Sequence, residues 1–227
     1  MRPVFLILIL LFGSLIASAQ DTTGVGDLKQ QRDALINAQK RDQYIDSVAK
    51  VMKPGVLDEQ AFAMAKQIDG GIDDNLDSIA MLAVRYKYNE AAFLYYVWDL
   101  RIRYSVLADV KLKDDKTAGA LLASFEYIYG EMLNPFLHAN IDNYVSILRS
   151  SVAWFDKNDS QAPPRSKNPE AYKQQIESFN KMIAEIEKNR AKLVKDWAEE
   201  ERKQKELTDK EIQEIDAQLK QRGISER

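Results

Sequence analysis

Apolar residues recur along most of this chain in steps of three and four, the spacing of one face of an α-helix. From Asp27 to Lys53 they fall at Leu28, Leu35, Ala38, Ile45, Ala49 and Met52, with polar Gln31 and Asp42 at two skipped places. Pro54-Gly55 predicts the end of that helix, because a helix interior tolerates neither residue well. Leu57 to Ile68 reads as a shorter helix stopped by Gly70-Gly71. Asp73 or Asp74 is placed to cap the next, whose buried face is Leu76, Ile79, Ala83 and Tyr86. A kink or short loop is expected near Lys87 to Glu90.

The pattern changes between Ala91 and Val110. Leu94, Tyr95, Trp98 and Ile102 mark one face, and Phe93, Val97, Leu100, Tyr104 and Leu107 mark another. A helix apolar on two faces is central and surrounded. Asp114-Asp115 is placed to cap a helix carrying Leu121, Leu122, Phe125, Ile128, Tyr129 and Met132, and Asn134-Pro135 predicts its kink or break. The following helix buries Leu137, Ile141, Tyr144, Leu148, Val152 and Phe155.

Asn158 to Asn168 contains Pro163-Pro164 and no aliphatic residue larger than alanine, so it reads as a linker. Beyond it Asn168 is a cap and Pro169 a first helical residue. Tyr172, Ile176, Phe179, Ile183, Ile186, Arg190, Leu193 and Trp197 then form a heptad seam broken only by Arg190. Residues 165–227 hold 15 Lys and Arg against 14 Asp and Glu, which makes the other faces solvated and nearly neutral. Thr208-Asp209-Lys210-Glu211 is a capping-box pattern that predicts a restarted helix with Ile212, Ile215 and Leu219, ended by Gly223. A helix from Pro169 to Glu206 would be on the order of 57 Å long at 1.5 Å per residue, too long for the body to cover end to end. Packing by its first half and projection by its second is expected, with the first helix as the obvious partner within the chain. The predicted fold is all-α, an elongated helical bundle with a long C-terminal coiled-coil-like helix and a short final helix.

The first residues follow a different pattern. Arg2 precedes an apolar run from Val4 to Ile16, and Ala17-Ser18-Ala19 matches a small-x-small cleavage site. The run is shorter than the roughly 20 residues a spanning helix needs. The expected organisation is a signal peptide over 1–19 cleaved after Ala19, a helical bundle domain over 20–157, a linker over 158–168 and a helical arm over 169–222. The protein is therefore expected to be exported, periplasmic or secreted, with no membrane span in the mature chain.

Composition narrows the chemistry. The chain has no cysteine and one histidine among 227 residues, which excludes disulfides, zinc–thiolate sites and thiol nucleophiles. The net charge of −3 becomes −4 when Arg2 leaves with the signal segment, so a generally basic nucleic-acid binder is excluded. His138 sits among Phe136, Leu137 and Ile141 with no Glu three residues before it, so the Glu-x-x-His pattern of di-iron bundles is missing. It reads as structural. Asp69 to Asp77 is the densest acidic stretch, but its spacing does not match a twelve-residue calcium loop, and a helix stop followed by an acidic helix start explains it. No cofactor is expected.

Tyr86 to Phe155 holds 8 of the 10 tyrosines and 2 of the 3 tryptophans. Aromatics at helical spacing are usually core, yet Tyr95, Trp98, Tyr104, Tyr129 and Trp154 are candidates to line a pocket for a small or glycan ligand. Glu126 and Glu131 lie in the same region as candidate general acids with no nameable partner carboxylate. The favoured expectation is a non-enzymatic interaction or structural protein of the bacterial cell envelope. It would assemble with itself or a protein partner through Ile176, Phe179, Ile183, Ile186, Leu193 and Trp197 of the arm. The alternative is a helical domain that binds a small or glycan ligand in the aromatic pocket.

Overall fold

The computed structural model describes residues 25–68, 76–108, 116–158, 163–222 and 224. The expected signal segment, most of the acidic stretch, the Asp114-Asp115 cap, residues 159–162 of the linker and the Gly223 stop lie outside the described residues. Among those described the chain is all-α. The helices are α1 (Val25–Val51), α2 (Glu59–Ala65), α3 (Asp77–Val84), α4 (Tyr88–Ala108), α5 (Lys116–Ala139), α6 (Ile141–Lys157), α7 (Pro169–Lys188) and α8 (Arg190–Gln221). One 3-10 turn, Arg165–Lys167, precedes α7. The chain divides into two compact units, Gln43–Glu199 and the described parts of Met1–Asp42 with Glu200–Arg227.

The larger unit is built around α4. Every residue from Ala91 to Ile102 is buried, as two apolar faces require, and α2, α3, α5, α6 and α7 all pack on this helix. Helix α7 runs antiparallel to it: Tyr104 meets Tyr172 at 5.2 Å between ring centroids, and Tyr96 meets Phe179 at 6.5 Å. The turn after α1 is tied down by side chains. Gly55 has φ +69°, and a Cβ there would collide with the Ser146 hydroxyl, so glycine suits this turn best. Its N–H donates to Asn143 Oδ1 at 3.0 Å, Asn143 Nδ2 donates to Asn89 Oδ1 at 2.7 Å, and Asn89 Nδ2 donates to the Val56 carbonyl at 3.0 Å. This closed amide chain satisfies buried polar groups and sets the turn against α4 and α6.

Three helix boundaries differ from the sequence pattern. Pro135 lies inside α5, and the break falls at Asn140. A helical proline removes one donor, whose acceptor would be the carbonyl of exposed Glu131, where water can replace it. Asn140 is the better stop: its side chain accepts from the Asn143 N–H at 3.1 Å and donates to the Ala49 carbonyl at 2.9 Å. The arm is also not one helix from Pro169 to Glu206. It breaks at Asn189, whose amide donates to the Glu185 carbonyl at 2.9 Å and competes with the regular ladder. Finally, α8 runs unbroken through Thr208, so there is no separate short final helix. Thr208 Oγ1 donates back to the Gln204 carbonyl at 3.0 Å instead of capping.

Candidate functional site

Helix α4 carries most of the candidate chemistry, and the structure places all five predicted pocket residues in the core. Tyr95, Trp98 and Tyr129 come together with Phe125: Tyr95 lies 6.1 Å from Trp98 and 6.0 Å from Tyr129, and Trp98 meets the Phe125 edge at 5.7 Å. Tyr104 belongs to a second cluster with Phe155 and Tyr172, and its hydroxyl donates to the Pro164 carbonyl at 2.8 Å. Trp154 stands apart from both, beneath the Arg101 guanidinium at 4.9 Å and edge-on to Phe93. The rings pack on one another, and the Tyr129 hydroxyl, like that of Tyr104, donates to a backbone carbonyl, that of Leu76 at 3.2 Å.

An ionic cluster adjoins the first ring group. Arg103 donates to Asp99 at 2.6 Å and also binds Glu126. Burial pushes the Asp99 carboxyl up to about 6 against the pull of Arg103. Both carboxylates are engaged by one guanidinium, which ties α4 to α5. Glu126 is therefore held as an ion-pair partner, and Glu131 is exposed. Among the described residues no three of His, Cys, Asp and Glu are grouped to hold a metal ion.

His138 stacks flat on Trp197, with centroids 4.0 Å apart and planes inclined by 1°. Desolvation lowers its pKa to about 4, so at neutral pH it is an uncharged packing surface. The six predicted interface residues line the seam as the spacing requires, but the chain covers much of it. Phe179, Ile183 and Ile186 are buried, while Ile176, Leu193 and Trp197 are half-buried against the same core. Arg190, the polar interruption of the seam, binds Asp142 of α6, and Arg149 binds Glu187 at 2.7 Å on the same side. These pairs wall a cavity of about 120 Å³. A more open groove of about 420 Å³ follows the seam edge along Met182, Ile186, Asn189 and Leu193.

The smaller unit is built from the start of α1 and the end of α8. Leu28, Ile215 and Leu219 are buried together, with Leu35 and Ile224 partly covered against them. Arg32 binds Asp216, and Gln39 donates to Asp209 at 2.7 Å. Partners on α8 fall in number as those on α1 rise, so the pair is antiparallel. The periodicity of Leu28 and Leu35 had marked this face. The polar cross-links were not legible, because nothing local signals which charges meet.

No helix among the described residues is long and apolar enough to cross a membrane. No protein-family model, curated protein or solved structure matches the chain.

Proposed function

We propose that the protein is an exported, non-enzymatic helical interaction protein of the bacterial cell envelope that assembles through the distal half of its C-terminal arm. The reading is supported chiefly by how little apolar surface the distal arm buries. From Glu200 onward α8 has only Ile215 and Leu219 buried, whereas the proximal arm places Phe179, Ile183 and Ile186 in the main core. A helical pair with so thin a seam gains little from packing within the chain and is the natural element for a further helix to complete. The export part rests on the Arg2, Val4–Ile16 and Ala17-Ser18-Ala19 pattern.

The burial of Ile183 and Ile186 changes the informative variant. Aspartate at either would strike the main core, so the test moves to Ile215 and Leu219, whose burial is confined to the small cluster with Leu28. The absolute mass of the chain from residue 20 to 227 is measured by light scattering after size exclusion, beside Ile215→Asp/Leu219→Asp. An oligomer that the double variant reduces to a folded monomer is the expected result. A wild-type monomer, or an oligomer unchanged in the variant, overturns assembly through this element.

A further inference from the structure

One exposed face of helix α5 differs from the rest of the helical surface. Between 119 and 130 the exposed residues among those described are Gly119 and Ala120, Ala123 and Ser124, and Tyr127 and Ile128. They form three pairs set four residues apart, so they share one side of the helix. None is charged. The single charge from Thr117 to Gly130 is Glu126, which turns inward to the Arg103 guanidinium. The exposed face of α7, by contrast, carries Lys173, Glu177 and Lys181, as a solvated surface helix does. Tyr127 and Ile128 are 49% and 56% exposed, so the α5 face is apolar as well as uncharged.

The order of residues along this face makes it complementary to itself. Small residues occupy its first two pairs and large ones its third. A copy laid antiparallel, about a two-fold axis between residues 123 and 124, brings Tyr127 opposite Ala120 and sets Ile128 level with Gly119. Each bulky end then meets a small-residue end, and Ala123 and Ser124 let the backbones approach at the centre. The charges one turn beyond the face follow the same symmetry. Lys116 begins α5 and Glu131 follows Tyr127 by four residues, so position 116 of one copy falls opposite position 131 of the other. Residues of opposite charge thus meet at both ends of the pair. A parallel pair would set Tyr127 against Tyr127 and lysine against lysine.

We propose that this face of α5 pairs antiparallel with the same face of a second copy of the chain. The size order and the end charges satisfy one symmetry operation, which commits the face to a second copy rather than an unlike partner. A lipid surface calls for a cluster of about four to eight basic residues, and there is none from Thr117 to Glu131. The contact is separate from the distal arm. A single helix pair on the order of 24 Å long buries less than the roughly 800 Å² per partner of a standard interface, so the dimer is weak and calls for a trapping measurement.

The chain has no cysteine, so one introduced thiol reports on one position. Ser124→Cys is compared with Met81→Cys, a control at a 52% exposed residue of α3, in the chain from residue 20 to 227. Both are made with and without Ile215→Asp/Leu219→Asp, which takes the arm out of play. Each oxidation rate is divided by that of the same thiol towards a small disulfide. Ser124→Cys should form a linked dimer at least about tenfold faster than the control in both backgrounds, because thiols beside the axis lie within bonding range. Adding Tyr127→Glu or Ala120→Glu should return that rate to the control and leave the thermal midpoint in place, since both positions are exposed. In an equimolar mixture of Ala120→Cys and Tyr127→Cys chains, the mixed dimer should outnumber the two self-linked dimers together. A Ser124→Cys rate equal to the control, a rate that neither glutamate changes, or a mixture without that excess overturns the proposal. Fast linking that disappears in the folded arm variant overturns it too, because the arm would then be gathering the copies. Loss of arm assembly with fast linking retained leaves this contact standing, so the two failures are read separately.

Discussion

Helix α4 and the distal half of α8 are both long helices, and they obtain their stability in different ways. Helix α4 buries twelve consecutive residues, Ala91 to Ile102, including Phe93, Leu94, Trp98 and Leu100 with no exposed area. Each such large side chain contributes about 1.5–3 kcal/mol by leaving water. The distal half of α8 buries two residues and relies on cross-links such as Arg32–Asp216, whose partners are 22% and 40% exposed. Ion pairs of that exposure contribute about 0–1 kcal/mol. The first region is held by apolar burial, and the second has little of it within the chain.

The largest expected effect tests this contrast directly. Trp98→Ala should cost about 3–5 kcal/mol and lower the whole unfolding transition, because it empties a fully packed site. Leu219→Ala should cost markedly less and leave the main transition nearly in place. Denaturant titrations followed by circular dichroism give both values. Equal costs would mean that the two regions unfold as one cooperative body.

Acidification sharpens the contrast within the main unit. His138 has a folded pKa of about 4, below its ordinary 6.5, so the unfolded chain takes up the proton first. Stability from the neutral His138–Trp197 stack is therefore lost as pH falls from about 6.5 towards 4. Asp99 has the opposite sign: its folded pKa of about 6 exceeds the ordinary 3.8. Its contribution is present below about 4 and is lost as pH rises through 6. Denaturant titrations between these limits should show that His138→Gln removes the acid-side loss and Asp99→Asn removes the loss on the other side. A His138→Gln profile that overlays the wild type would show that the imidazole is not desolvated.

The smallest effect concerns polar atoms inside the core. Gln175 is 4% exposed, and its Nε2 has no hydrogen-bond partner among the described residues. Gln175→Leu should be neutral or stabilising by about 1 kcal/mol, since an apolar side chain avoids that desolvation cost. Destabilisation by more than that amount, read from the same titrations, would reveal a partner for the amide.

The sequence by itself determined the helical class, the central place of α4, the Pro54-Gly55 stop, the Asn168 cap and the seam from Tyr172 to Trp197. These are local or periodic signals, and burial follows periodicity wherever a helix has one neighbour side. Tertiary structure alone decided what each face meets. The aromatic spacing of Tyr95, Trp98, Tyr104, Tyr129 and Trp154 is the same for a pocket as for a core, and only neighbouring helices settle that the rings fill the interior. Pro135 and Thr208 carry local stop signals that lost to helix continuation, while Asn140 gained bonds to Ala49 and Asn143 that no window of sequence contains. Arg190 looked like a flaw in a heptad until Asp142 of α6 stood opposite it. Tyr86 carries no local signal of its positive φ, because the three-dimensional end of α3 imposes it.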